Sequence, residues 1–283
     1  MARVAAIDCG TNSIRLLVAD VHTEGDGTTR LTDVHREMRI VRLGQGVDAT
    51  GRLAREAVNR TQAALTDYAE TVHGTGAERV RMVATSATRD AANREEFFAM
   101  TREVLGVEAE VITGDEEAAL SFAGAAADLP PERGPFVVTD VGGGSTEVVL
   151  GDWDGATAHV HAARSVDIGC VRLTERCLHS DPPTDEEVVE ATRLAGQVLA
   201  DAFDAVDVSG AATWIGVAGT VTTLSALAQG LDDYDPERTH LSTMTRAEIA
   251  AVTQRLLRSS HAERAELAVI HPGRRDVITG GAL

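Results

Sequence analysis

One phrase is written twice in this chain. Residues 7–18 read IDCGTNSIRLLV and residues 139–150 read TDVGGGSTEVVL. At a constant offset of 132, Asp8 falls on Asp140, Gly10 on Gly142 and Ser13 on Ser145. A second pair keeps the same offset. VRMVATSATR (80–89) and TWIGVAGTV (213–221) place Ala84 on Gly216, Ala87 on Gly219 and Thr88 on Thr220. Two motif pairs in one register constrain the chain to a duplicated domain.

Each half opens with three strand-like segments and then alternates helix with strand, an α/β pattern. In the first half these are 3–9 and 13–21, joined by a GTN turn, and a long third strand over 31–43 after a polar loop at 22–30. A helix is expected over 50–72, with Thr50 as its cap. Others are expected over 93–106, closed by glycine, and over 115–129, capped by Asp115. The second half repeats the plan from FVVTDV, STEVVLGD and HVHAARSVDIG, with helices near 169–178, 185–206, 219–230 and 245–260. LPPERGP (129–135) is the best boundary, giving domains 1–128 and 129–283. The tail PGRRDVITGGAL begins like a helix and stops without a cap, the pattern of a chain cut short.

The 283 residues are 43% hydrophobic, enough for a substantial core. No apolar run approaches the ~20 residues of a membrane span. The N-terminus runs from MARV straight into a strand, without a signal-peptide pattern, so the expected place is the cytoplasm and no membrane partner is expected. The formal net charge of −18 disfavours DNA as a partner. All 26 basic residues are arginine, which excludes a P-loop with its lysine. Cys9, Cys170 and Cys177 match no zinc spacing and read as idle thiols.

Asp at a strand end, then glycines, then Ser or Thr, suits an anion. Glycines permit positive φ and close approach, consecutive N–H groups form a nest, and the aspartate can hold a divalent cation against phosphate. After the serine the copies diverge: Arg15 in the first, Glu147 in the second. The basic version suits phosphate and the acidic one metal. Arg89 in TSATR sits just past a strand end, in a loop, where its planar fork matches phosphate oxygens. Glu116 and Glu117 lie in a first helical turn, a favourable place for negative charge. In the strand over 31–43, Arg36 and Arg42 share a face and Arg39 takes the other; His159 and His161 share a face without a third ligand.

These segments resemble the exopolyphosphatase/guanosine pentaphosphate phosphatase family. The resemblance runs through IDCGTNSIRLLV, VRLGQGVDATGRL, VATSATRDAANREEF, VITGDEEAALSFAGA, VVTDVGGGSTEVVLG, DIGCVRLTE, WIGVAGTVTTLSAL and HPGRRDVITGGAL. It implies an α/β fold of two duplicated ribonuclease-H-like domains of the actin-like ATPase superfamily around a central cleft. It implies removal of terminal phosphate from inorganic polyphosphate, or of the 5′ γ-phosphate of guanosine pentaphosphate, with Mg2+ or alternatively Mn2+. By resemblance Glu117 is the catalytic glutamate and Asp140 and Glu147 are the metal carboxylates. Phosphate binding falls on Asn12, Ser13 and Arg89 and on the second loop, Gly142, Gly143, Gly144 and Ser145. Asp8 and Arg15 are additional candidates, as are Gly219 and Thr220, which resemble part of the superfamily's adenosine motif. A homodimer is expected by analogy.

Against this stand a polyphosphate- or nucleotide-sensing module, which could lose the base, and a sugar kinase, for which no sugar-binding aspartate is evident. A DNA-binding repressor lacks both a helix-turn-helix and the right charge. The chain ends where longer relatives continue into helical domains that help hold long polyphosphate. A bias toward short chains is therefore expected. Phosphate release compared across polyphosphate lengths checks it, and a preference for chains of hundreds of units would contradict it.

Overall fold

The computed structural model describes residues 2–23 and 29–283. It packs as two compact units, Met1–Glu117 and Ala118–Leu283.

The first unit contains β1 (Ala2–Cys9), β2 (Ser13–Thr23), β3 (Thr29–Ile40), α1 (Val47–Thr50), α2 (Arg55–Thr75), β4 (Arg79–Ala84), α3 (Ser86–Asp90), α4 (Arg94–Leu105) and β5 (Glu110–Val111). Its sheet runs β3-β2-β1-β4-β5. The first three strands are antiparallel; β4 joins β1 and β5 joins β4 in parallel. Alternation along β1 and β2 buries Ile7, Ile14 and Leu16 in one core with Leu65 and Tyr68 of α2 and Phe97 of α4. Helix α5 (Gly114–Ala126) begins where this unit ends.

The second unit holds β6 (Phe136–Val141), β7 (Thr146–Trp153), β8 (Ala158–Val166), α6 (Cys170–Cys177), α7 (Asp185–Ala205), β9 (Thr213–Val217), α8 (Ala218–Ala228), α9 (Pro236–Thr239), α10 (Arg246–Arg258), α11 (His261–Ala265) and α12 (Ile278–Ala282). Its sheet runs β8-β7-β6-β9, repeating the order and directions of β3-β2-β1-β4 in the first. Both units thus have the ribonuclease-H-like α/β arrangement. The duplicated hairpin keeps the 132 offset residue for residue: Asp8 lies opposite Arg15, Asp140 opposite Glu147. The parallel neighbour is displaced by two residues, Asp8 facing Val83 but Asp140 facing Val217. An even shift preserves which side chains face which way.

Several boundaries differ from the sequence expectation. Thr50 caps nothing: it ends α1, because Gly51 follows at φ +65°. Helix α2 starts only at Arg55, since the segment between is pinned by Asn93, which accepts from the Leu53 N–H and donates to the Leu53 carbonyl. Strand β3 stops at Ile40, and Arg42 has φ +54°, so the face alternation drawn for Arg36 and Arg42 does not reach Arg42. Of the polar loop expected at 22–30, residues 24–28 lie outside the described residues, and its ends are strand. The packing division falls inside α5 rather than at the proline loop. Ala118, Phe122 and Ala126 of α5 are buried with Phe136, Val138 and Val149 of the second unit's sheet.

Phe122 is fully buried there, and a Cβ on Gly151 would meet its ring at 2.7 Å. Phe122→Ala should therefore leave a cavity and cost about 3–5 kcal/mol, read as a fall in the denaturant midpoint of the second unit. Gly196 of α7 has open space around its Cβ position. Gly196→Ala should gain about 0.5–1 kcal/mol in the same measurement.

Candidate active site

The first turn of α5 sorts the paired acids. Thr113, not Asp115, is its cap. The Glu116 N–H donates to Thr113 Oγ1, while Glu116 Oε2 accepts from the Thr113 N–H at 2.8 Å, a reciprocal capping box. These bonds, backbone first, hold the Glu116 carboxyl below its ordinary range. Glu116 is thus committed to the helix end. Glu117, about 100° further round the helix, turns to Arg89, whose Nη1 lies 3.4 Å from Glu117 Oε2 and donates to the Ile112 carbonyl at 2.9 Å. Arg89 sits in the short helix α3 rather than in a loop. Both side chains are about one-fifth to one-quarter exposed, so they form a charged pair reachable by solvent.

The two hairpin turns share one construction. The Gly10 N–H donates to the Ser13 carbonyl at 3.0 Å, and the Gly142 N–H to the Ser145 carbonyl at 3.1 Å. None of Gly142, Gly143 and Gly144 has positive φ, so the glycines are not there for left-handed backbone. They are there for close approach. A Cβ on Gly142 would sit 2.9 Å from the Ser145 carbonyl oxygen. The N-terminal N–H groups of α6 (Cys170, Val171 and Arg172) donate to the carbonyls of Gly142 and Gly143. That docking requires Gly169, whose Cβ would fall 2.6 Å from Gly143. Among the described residues, no backbone acceptor takes the N–H of Gly143 or Gly144. In the first unit the turn is braced by Val41, Arg42 and Gly44, whose N–H groups donate to the carbonyls of Asn12 and Thr11. Asn12 is buried there, and its Oδ1 has no hydrogen-bond partner.

Directly opposed residues of antiparallel strands share a face. In the first unit, Arg15 Nη1 lies 3.1 Å from Asp8 Oδ2 and the pair neutralises itself. In the second, two carboxylates face each other, Asp140 half-buried and Glu147 1% exposed. Like charges so placed repel unless hydrogen-bond donors or opposite charges beside them offset the repulsion. Ser121 Oγ donates to Asp140 Oδ2 and Ser165 Oγ to Glu147 Oε1, each at 2.7 Å. Among the described residues no three His, Cys, Asp or Glu side chains form a metal-holding group. The donor set fits Mg2+, which takes one or two carboxylates and keeps water and substrate phosphate for its other positions.

Gly219 and Thr220 begin α8, close to Val217, the partner of Asp140. The Arg274 guanidinium lies over Gly219 where a Cβ would be, and Thr220 is buried beneath Gly281. Ala218 has φ +69° at this junction. Arg36 and Arg39 are paired, with Asp33 and with Glu37 and Asp67. His159 and His161 pair with Asp154 and Asp152 at the exposed end of β8. Sequence reading missed Ser121, Ser165, Thr113 and Gly169. Ser121 had a signal, standing one helical turn beyond Glu117; Ser165 needed the register of β7 on β8.

Fold and turns define a duplicated α/β protein with a hairpin turn of the same construction in each unit. Residues 18–283 match the model of the Ppx/GppA phosphatase family. Exopolyphosphatase 2 of Mycobacterium tuberculosis is 60% identical over 290 residues, covering 100% of this chain and 88% of that one. A guanosine-5′-triphosphate,3′-diphosphate pyrophosphatase of Vibrio atlanticus is 33% identical, over 89% of this chain and 48% of its own length. A crystal structure of an exopolyphosphatase-like protein superposes with a TM-score of 0.90 at 45% identity, covering 99% of this chain and 85% of that one. The chain belongs to the Ppx/GppA phosphatase family and is a hydrolase of phosphoric anhydrides. Among the described residues no helix is long and apolar enough to cross a membrane.

Gly169→Ala should push the Gly142–Ser145 turn away from α6. A displacement near 1 Å costs about 10²-fold in rate, so phosphate release should fall by that order while the far-ultraviolet circular dichroism is retained.

Proposed function

We propose that this chain releases terminal orthophosphate from inorganic polyphosphate, with Glu117 as the base that activates the attacking water and Mg2+, or Mn2+ in its place, held by Asp140 and Glu147. The observation that carries the reading is the Arg89–Glu117 pair, with Glu116 withdrawn into the cap. A base and a phosphate-binding cation stand side by side, one to accept a proton and one to meet phosphoryl oxygens. The substrate class rests on the 60% identity to an exopolyphosphatase across the whole chain.

The residues then take distinct roles. Glu117 accepts the proton of a water aligned with the terminal phosphorus. Arg89 donates to the oxygens on which charge develops. The N–H groups of Gly143 and Gly144, with Ser145, orient an anion in the second unit, and Asn12 and Ser13 take that role in the first. When bound, the divalent ion neutralises phosphoryl and leaving-group charge. Asp8, already paired with Arg15, serves the turn more than the metal. The transfer goes to water directly.

A second reading, hydrolysis of guanosine pentaphosphate, is favoured by the 33% identity to the Vibrio atlanticus enzyme. Phosphate release from polyphosphate, guanosine pentaphosphate and ATP, each with and without Mg2+, separates the two. Glu117→Gln should lose about 10²–10⁴ in kcat. Glu116→Gln, altering only the cap, should keep kcat within about threefold, the difference a general base and a helix cap imply. A Glu117→Gln variant with full activity would remove Glu117 as the base. A wild type that turns over only guanosine pentaphosphate would replace the substrate.

A further inference from the structure

One row of side chains crosses the second unit's sheet. Ser165 of β8, Glu147 of β7 and Asp140 of β6 are consecutive cross-strand partners. Ser121 of α5 closes the row at the Asp140 end. A serine hydroxyl therefore stands at each end of a carboxylate pair, each fixing one oxygen at 2.7 Å. The equivalent row of the first unit runs Met38, Arg15, Asp8. Where the pair neutralises itself through Arg15, the position matching Ser165 carries a methionine. Where two carboxylates oppose each other, it carries a donor.

We propose that Ser121 and Ser165 are positioning residues that set the rotation of the Asp140 and Glu147 carboxylates for a divalent cation. The proposal rests on the metal reading given above. A carboxylate with one oxygen tied to a hydroxyl turns its other oxygen in a fixed direction. Partners of this kind orient ligand groups and tune their affinity. Ser121 has a second consequence. It lies one turn from Glu117 on the same face of α5, so the helix that carries the proposed base also holds a proposed metal ligand.

Binding of Mn2+ alone, followed by the electron paramagnetic resonance of the free ion, tests this on the full chain. Ser121→Ala and Ser165→Ala should each weaken binding by about tenfold, and Ser121→Thr and Ser165→Thr, which keep the hydroxyl, should restore it. Asp140→Asn should abolish binding. Melting in the presence of chelator checks that each variant folds; where an alanine variant does not, Ser→Cys, a weak donor of similar size, replaces it. Serines that only fill out the fold would lower melting without changing Mn2+ affinity. Folded variants that bind Mn2+ within twofold of wild type overturn the proposal. A wild type that binds no Mn2+ instead removes the metal reading beneath it.

Discussion

The cross-strand pair at the root of each hairpin decides what each unit can do. In the first, Asp8 faces Arg15 and the charges cancel at 3.1 Å. In the second, Asp140 faces Glu147, and Glu147 is almost wholly withdrawn from water. Burying a carboxylate beside another is unfavourable unless something of opposite charge or good hydrogen-bonding power is supplied. Two hydroxyls supply part of it, Ser121 on Asp140 and Ser165 on Glu147. Duplication gave both units the same turn, and one changed position, Arg15 against Glu147, separated their electrostatics.

Helix α5 is the second constraint. Its first turn sets Glu116 into a cap and Glu117 toward Arg89. Its next turns bury Ala118, Phe122 and Ala126 against the second sheet. The side chain that would act as base therefore stands in the first turn of a capped helix. A base borne on a free loop would lose orientation that this helix retains.

Much of this was legible in the sequence because the signals were periodic or repeated. The hairpin offset of 132 held residue for residue through β1, β2, β6 and β7. What escaped depended on contacts between distant segments. The break before α2 comes from Asn93 pinning Leu53, 40 residues away. The two-residue displacement of β9 against β6 is a pairing choice that no motif spells out. Helical reach through the Thr113–Glu116 box was readable in principle, since Thr-x-x-Glu precedes the apolar face. Asp115, two residues past the cap, was the more obvious capping acid. Ser165 needed the register between β7 and β8, which slips at Leu150/Gly151.

The glycines and Cys9 together bear on what kind of chemistry the hairpin supports. The triple glycine does not supply left-handed backbone; it removes side chains so that α6 can dock on Gly142 and Gly143. Cys9 stands next to Asp8 in sequence, yet β1 turns it inward, where it is 1% exposed. Burial, and then the Asp8 charge, push its thiol well above the ordinary range. The thiolate is the nucleophilic form, so the one soft nucleophile beside the first turn is silenced by the same strand alternation that points Asp8 outward.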